Sequence, residues 1–233
     1  MKKVLFSLAG LALLTTVITG CDKDDDKDTM NGTSKVMVVH ASPDAPAVDV
    51  RVNNTVALSN VAYPSNSGYN NVTSGATNIK VSPAGTTTYV IDANVTLEPN
   101  KNYSVFAVDA VSKIKAAVVG DDLTAPASGK AHVRFFHFSP DAPAVDIAVA
   151  GGPVLFSNRA FNDQATTATL ANFTPVDAAT YNLEVRLAGT STVVLALPNV
   201  TLTSGKIYTV FAKGFVGGTG AQALGAQVIV NNE

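Results

Sequence analysis

The sequence predicts an all-β protein, built as two tandem antiparallel β-sandwich domains behind an N-terminal export segment. Three observations lead to this prediction: apolar and polar residues alternate in short runs, turn-forming residues separate these runs, and one long motif occurs twice. The 233 residues suffice for about two domains, and a hydrophobic content of 46% allows each to bury a core. With 16 basic and 18 acidic residues, the chain lacks the basic excess typical of nucleic-acid-binding proteins, so we expect no nucleic-acid partner.

The first twenty residues are typical of a bacterial lipoprotein signal peptide. Lys2 and Lys3 precede an apolar stretch over residues 4–18, which is shorter than the roughly 20 residues that a membrane-spanning helix needs. Ile18-Thr19-Gly20-Cys21 resembles the lipobox, in which an aliphatic residue and two small residues precede a lipidated Cys. Since Cys21 is the only Cys of the chain, we expect cleavage before it and a membrane anchor on its thiol. The alternative is an ordinary secretory signal beside an unrelated Cys.

Residues 21–34 are predicted to form a flexible tether. Residues 22–28 contain five acids and two bases, a run too charged to pack into a core. An acidic run directly after a lipidated Cys also resembles the surface-export signal of one Gram-negative phylum, although a plain spacer is the alternative. We therefore expect a lipid-anchored protein of the bacterial cell envelope, in the outer membrane and exposed at the surface.

An internal repeat is the strongest signal in the chain. His40-Ala41 followed by Ser-Pro-Asp-Ala-Pro-Ala-Val-Asp49 recurs as His137-Phe138 followed by the same eight residues up to Asp146. A period near 100 residues indicates duplicated domains, because solenoid repeats are only about 20–50 residues long. We expect the first sandwich at residues 35–123, a linker at 124–129 and the second sandwich at 130–233.

Local patterns favour strands in both copies. Val48, Val50 and Val52 alternate with polar residues, as expected for a strand with one buried face. The segment Tyr-Ser-Val-Phe-Ala ending at Ala107 recurs as Tyr-Thr-Val-Phe-Ala ending at Ala212. Turn residues stand between such runs, at the spacing typical of a sandwich, so each domain is expected to be immunoglobulin-like or transthyretin-like with seven or eight strands.

The motif and the strand that follows it point to a family. His-x-Ser-Pro-Asp-Ala-Pro-x-Val-Asp, followed by Tyr-x-Val-Phe-Ala, resembles the bacterial domain of unknown function 4397 over residues 35–233. The resemblance implies envelope or secreted proteins without an established activity. It implies no catalytic residues for this chain.

The repeated motif is predicted to be structural. Two prolines restrict its backbone, and Asp44 is expected to accept hydrogen bonds from N–H groups of its own turn. The alternative is a cation site at His40, Asp44 and Asp49, but Ca²⁺ prefers six to eight oxygen ligands and few are present. We therefore predict no metal and no cofactor. The motif residues are His40, Ser42, Pro43, Asp44, Pro46, Asp49, His137, Ser139, Pro140, Asp141, Pro143 and Asp146.

No catalytic residue is predicted. His40, Ser42 and Asp44 lie too close together in sequence for a hydrolase triad, whose members normally come from separate segments. The chain has no Gly-x-Ser-x-Gly elbow, no glycine-rich phosphate loop and no His-Glu-x-x-His motif.

These observations favour a non-catalytic, surface-tethered binding or adhesion module for an unknown protein or glycan ligand. The alternatives are a purely structural spacer, a glycan-binding accessory protein or an enzyme of unfamiliar type. A sugar-binding face needs exposed aromatic rings, and Trp is absent. The candidates for such rings are Tyr63, Tyr69, Tyr89 and Phe161.

Overall fold

The computed structural model describes residues 32–232. The predicted signal peptide at 1–20, the lipidation site Cys21 and most of the predicted tether lie outside the described residues. The described chain forms two β-sandwiches, which confirms the predicted all-β fold. Within it, no helix combines the length and the apolar character needed to cross a bilayer.

The first sandwich consists of two four-stranded sheets. Its strands are β1 (Thr33–His40), β2 (Val48–Val52), β3 (Thr55–Val61), β4 (Asn66–Thr73), β5 (Gly75–Pro83), β6 (Ile91–Leu97), β7 (Asn102–Val108) and β8 (Lys115–Asp121). One sheet has the order β4-β1-β7-β8 and the other β3-β2-β5-β6. A short 3-10 turn, Val111–Lys113, connects β7 to β8.

The second sandwich repeats this arrangement. Its strands are β9 (Lys130–His137), β10 (Val145–Val149), β11 (Val154–Arg159), β12 (Thr174–Asp177), β13 (Ala179–Leu187), β14 (Val193–Leu202), β15 (Ile207–Lys213) and β16 (Gly225–Val230). The sheets have the orders β12-β9-β15-β16 and β11-β10-β13-β14. Its 3-10 turns are Asp163–Ala165, Ala168–Ala171 and Gly220–Gln222.

Each sandwich contains one parallel strand pair within otherwise antiparallel sheets. β1 runs parallel to β7, with Val39 opposite Phe106, and β9 runs parallel to β15, with Phe136 opposite Phe211. The two copies therefore share an unusual detail of topology as well as the sequence motif.

Alternating apolar residues fill the core of each sandwich. Val50 of β2 packs with Ile79 and Val81 of β5 in the first core, and Ile147 of β10 packs with Val185 of β13 in the second. Burying one such side chain contributes about 1.5–3 kcal/mol. The predicted alternation is the pattern that builds these cores.

A third apolar cluster lies between the two sandwiches and joins them. Phe106 of β7 is its centre, with ring centroids 5.3 Å from Phe136, 5.0 Å from Phe138 and 6.4 Å from Phe211. Met37 of β1 belongs to the same cluster. The sheet containing β1 therefore faces the sheet containing β9, and the molecule has four layers.

Strand β1 is buried on both faces because of this packing. Val36 and Val38 point into the first core, whereas Met37 and Val39 point into the cluster between the sandwiches. Because both faces of β1 are buried, its residues 36–39 are all apolar and do not alternate with polar ones.

The two sandwiches lie side by side with their corresponding ends together. We call the end at which β1 and β9 begin the entry end. There Asp121, the last residue of β8, contacts Arg134 of β9, and residues 122–129 connect the end of β8 to the start of β9.

At the opposite end, which we call the motif end, the contacts between sandwiches are reciprocal. Nζ of Lys213 lies 5.6 Å from the ring centroid of Tyr63, and Nζ of Lys115 lies 5.2 Å from that of Phe161. Both repeated turns follow β1 and β9 directly, so both lie at this end.

Candidate functional site

His40 and His137 close the repeated turns from inside. Nε2 of His40 donates to the Pro46 carbonyl at 2.9 Å, and Nε2 of His137 donates to the Pro143 carbonyl at 3.1 Å. Because a carbonyl only accepts, Nε2 carries the hydrogen in both rings. Both rings are fully buried, and neither Nδ1 has a hydrogen-bond partner among residues 32–232. Burial lowers the pKa of both imidazoles, so each one is a neutral donor within the fold.

Asp49 and Asp146 each bind a turn and a neighbouring strand. The carboxylate of Asp49 accepts hydrogen bonds from the N–H groups of Gly85 and Asn60, both at 2.9 Å. Asp146 makes the corresponding pair of bonds in the second sandwich, at 2.6 and 2.9 Å. These backbone donors hold the pKa of both carboxyls below its usual value.

Asp44 binds a distant loop, so the expectation that it bonds within its own turn is wrong. Its Oδ1 accepts from the Val111 N–H at 2.8 Å, across 67 residues of sequence. The carboxylate of Asp141 accepts from the Val216 N–H at 3.0 and 3.2 Å in the same way. Asp44 thus connects the first motif turn to the loop that follows β7. Asp141 connects the second motif turn to the loop that follows β15.

The serines of the motif are buried, and within residues 32–232 neither is hydrogen-bonded to a histidine side chain. Ser139 donates to the Gly214 carbonyl at 2.7 Å, while the Ser42 hydroxyl has no partner in the described part of the chain. Within residues 32–232, no three His, Cys, Asp or Glu side chains converge in a way that could hold a metal ion. The polar groups of the motif are mostly bound to backbone groups of the fold itself.

The prolines of the motif differ in exposure. Pro43 is buried and Pro140 half-buried, whereas Pro46 and Pro143 are exposed. The first proline of each turn therefore packs against the sandwich, and the second lies at the surface.

A buried polar network joins the sandwiches beside the apolar cluster. Nη2 of Arg134 lies 2.7 Å from Oδ1 of Asp121, with both side chains completely buried. Ser104 donates to Oδ2 of the same Asp at 2.7 Å, and Tyr69 does so at 2.6 Å. Nε of Arg134 donates to Thr209 at 2.8 Å. Both sandwiches thus contribute to one set of hydrogen bonds.

The entry end carries four adjoining cavities around residues 122–124, which together we call the linker groove. Their volumes are about 830, 380, 320 and 280 Å³. The largest and smallest share Asn100, Lys101 and Asn102, and the largest shares Leu123 with the second and Asp122 with the third. The cavities therefore adjoin one another at the entry end. The largest and the smallest are lined by the first sandwich and the linker, and the other two by residues of both sandwiches.

Three strands place polar residues side by side at this end of the sheet, where Lys35 and Asn102 line the groove and Asp121 lies buried beneath it. Lys35 of β1 is opposite Asn102 of β7, which is in turn opposite Asp121 of β8. All three point to the side of the sheet that faces the second sandwich. At this end the apolar packing has stopped, so the two sheets leave space between them.

The groove contains polar side chains that the fold does not use. No hydrogen bond or ion pair within residues 32–232 engages the side chains of Lys35, Asn100, Lys101, Asn102 and His132, all of which line it. This contrasts with the repeated motif, whose polar groups are largely satisfied. The linker groove is thus our candidate functional site.

Asp122 gives the groove a fixed negative charge. Its carboxylate accepts from the hydroxyl of Thr124 at 2.6 Å and from the Thr124 N–H at 3.0 Å. These bonds, with smaller contributions from His132 and Lys101, hold its pKa below the usual value.

The aromatic candidates for sugar stacking have other surroundings. Tyr69 is half-buried, and the Asn231 side chain donates to its hydroxyl at 3.1 Å. Burial raises the pKa of Tyr63 to about 12, and Phe161 is half-buried at the motif end. Tyr89 is exposed, but Nζ of Lys80 lies 5.0 Å from its ring centroid.

Sequence reasoning did not find the groove, because its residues come from separate segments. Asn100 and Lys101 belong to a turn between β6 and β7, and His132 lies in β9. Polar turn residues carry no local signal that distinguishes a binding surface from an ordinary turn.

The fold and the groove define an all-β module of two fused sandwiches, and one family matches part of it. Residues 34–148 match the sequence model of a family described as "Domain of unknown function (DUF4397)". This range covers the first sandwich and extends into β10, and over it the resemblance found from the motif is confirmed.

The other comparisons add little. No curated protein matches the chain. A solved structure, the Bacillus anthracis TIE protein, is similar over 78% of this chain and 34% of its own, with 8% identity and a TM-score of 0.26. This chain therefore spans about a third of the length of that structure.

Proposed function

We propose that the chain is a lipid-anchored protein of the bacterial cell envelope that acts as a non-catalytic binding module, exposed at the surface of the outer membrane. The observation that carries the binding function is the linker groove, where polar side chains without hydrogen bonds within residues 32–232 line adjoining cavities at the entry end, two of which extend to the second sandwich. Ligand sites are commonly concave and lie at domain interfaces.

The packing of the sandwiches favours a binding module over a spacer. A spacer gains reach when its domains stack end to end. Here the corresponding ends lie together, as the contact of Asp121 with Arg134 at one end and of Lys213 with Tyr63 at the other indicate. The second sandwich therefore widens the module and contributes walls to two of the cavities of the groove, and it does not lengthen the module.

The surroundings of the repeated motif support a role without catalysis. A general base or nucleophile must reach a substrate. His40 and Ser42 are fully buried, and the proton of His40 is engaged by a carbonyl group of its own turn.

The anchoring part of the proposal is tested by substituting Cys21→Ser in the full chain. Two or three acyl chains on Cys21 would hold the protein firmly on a bilayer, since each buried CH₂ contributes about 0.8 kcal/mol. We expect the wild type in the membrane fraction with a mass increase at Cys21, and the variant without either. Equal membrane partition of the two proteins would contradict the lipid anchor.

The binding part is tested by thermal unfolding of the full chain with added ligands. A ligand that binds the folded state raises the midpoint by mass action. The panel contains neutral and acidic oligosaccharides, soluble matrix proteins and divalent cations with and without chelator. A spacer would show no saturable shift with any of them, and turnover of a probe would point to an enzyme.

A further inference from the structure

The shape of the linker groove suits a ligand of several connected units. Its largest cavity has a volume of about 830 Å³ and adjoins three smaller ones. Sites for small molecules generally enclose about 300–1,000 Å³. The groove is open and consists of several adjoining cavities, so a chain of linked rings fits it better than a compact molecule.

The charges of the groove balance. Lys35 and Lys101 contribute two positive charges, and Glu98 and Asp122 contribute two negative ones, since Asp121 is paired with Arg134. A nucleic acid or a polyanion would need an excess of basic groups. The balance favours an uncharged ligand.

The uncharged groups of the groove are those that recognise hydroxyl groups. Asn100, Asn102 and Asn172 carry side-chain amides that both donate and accept, and no hydrogen bond within residues 32–232 uses them. An apolar ligand would leave these amides unsatisfied, which is costly. A ligand with many hydroxyl groups satisfies them.

Three aromatic residues also line the groove: Tyr69, Tyr103 and Phe173. Phe173 lines the cavity beside Asn172 and is half-buried. The guanidinium carbon of Arg134 lies 4.3 Å from its ring centroid, so one face of the ring packs against Arg134. The other face, beside the free amide of Asn172, is suited to the apolar face of a sugar ring.

The geometry points to a neutral oligosaccharide as the ligand of the linker groove. The inference rests on the proposed binding function and names its ligand class. The surface around Tyr89 is less suited, because its polar groups bond to each other: Lys80 donates to Asn54 at 2.9 Å, and Asn78 donates to Asp92 at 2.7 Å.

The test is calorimetric titration of the full-length lipidated protein in phosphatidylcholine nanodiscs. The neutral probes are maltotetraose, cellotetraose and chitotetraose, and the acidic probe is tetragalacturonate. We expect at least one neutral probe to bind with a dissociation constant of about 1 mM or tighter. Asn102→Ala should weaken that binding about tenfold, because it removes a hydrogen-bonding amide. Asn94→Ala removes an exposed amide of the other sheet, outside the groove, whose oxygen accepts from Asn78 at 2.9 Å; it serves as the control, with unchanged affinity expected.

Three results would overturn the inference. The first is no binding of any neutral probe at about 10 mM, a concentration at which even weak sites fill. The second is equal affinity of the wild type and Asn102→Ala, which would place the sugar elsewhere. The third is binding of tetragalacturonate alone, which would contradict the ligand class and leave the proposed binding function intact.

Discussion

Arg134 of the second sandwich and Asp121 of the first form an ion pair at 2.7 Å, with both side chains completely buried. Within residues 32–232 this ion pair occurs once, although the sandwich domain occurs twice. Strand registers place Met37 in the first copy where Arg134 lies in the second, and Asn231 in the second copy where Asp121 lies in the first. The two copies have therefore become different at the surface on which they meet.

Breaking this pair should destabilise the protein strongly. Asp121→Ala leaves the Arg134 guanidinium buried without its counter-charge, and such a loss typically costs about 3–5 kcal/mol. The double substitution Asp121→Asn with Arg134→Met places at each position the residue found in the other copy, so most of the stability should return. Denaturant unfolding monitored by circular dichroism measures both effects.

An exposed pair provides the control for this experiment. Lys130 and Asp177 lie 2.7 Å apart, with side chains 42% and 75% exposed. Asp177→Ala should cost about 0–1 kcal/mol, because water screens the pair. A loss in Asp121→Ala no larger than that of Asp177→Ala would contradict a role for the buried pair.

The apolar cluster should make the two sandwiches unfold together. Phe106→Ala removes the ring that contacts Phe136, Phe138 and Phe211, at a cost of about 3–5 kcal/mol. Calorimetry of the wild type should show one transition, and that of the variant two. Phe135→Ala, in the core of the second sandwich, is the matched control; it should lower stability while the cluster between the sandwiches stays intact. Two separate transitions in the wild type would argue against coupling.

Much of the fold within each sandwich could be predicted from sequence. Val48 and Val50 pack on the first core, as their alternation predicts, whereas Val52 at the end of β2 is half-buried and lies outside the core cluster. The repeat around His40 and His137 predicted the duplication, since the same residues serve the same contacts in both copies.

The packing between the sandwiches was not predicted, although one signal was present. Residues 36–39 are apolar without alternation, which is typical of a strand buried on both faces. That pattern does not identify the partner surface. The burial of Arg134 could not be predicted from sequence, because arginine is rarely fully buried. Its pairing could not be predicted either, because its partner Asp121 belongs to the other copy.

The buried histidines should make stability depend on pH. Their pKa values in the folded protein lie below the ordinary value of 6.5. As the pH falls below about 6.5, the unfolded chain binds protons that the folded chain does not, so the free energy of unfolding decreases. The decrease stops once the pH is below the folded-state pKa values. The double variant His40→Gln with His137→Gln should show a shallower dependence in denaturant unfolding above the range in which carboxyl groups titrate.

A matched substitution isolates this effect. His132→Gln changes a partly exposed histidine that lies outside the repeated turns. Its free energy of unfolding measures the general effect of a His→Gln exchange, because both hydrogen bonds of the buried histidines remain in place. If the double variant keeps the full pH dependence of the wild-type unfolding free energy, the buried histidines are not its source.

The motif aspartates should contribute stability by joining loops, and this contribution should not involve a cation. Asp44→Ala removes the hydrogen bond to the Val111 N–H and should cost about 1 kcal/mol, since Val111 is exposed and water replaces the lost acceptor. Asp141→Ala should cost a similar amount through Val216. Because the two bonds lie in different sandwiches, the costs should add in the double variant.

Asp44→Asn is the control that separates hydrogen bonding from ligation of a cation. Its side-chain oxygen can still accept from the Val111 N–H, so most of the stability should remain, whereas a Ca²⁺ site would be weakened by the loss of a charged oxygen ligand. The thermal midpoint of the wild type should be the same with and without EDTA, because the carboxylate is already bound to a backbone donor. A midpoint that falls by several degrees in EDTA, returns with Ca²⁺ and becomes insensitive to both in Asp44→Asn would replace the loop-joining role with a cation site.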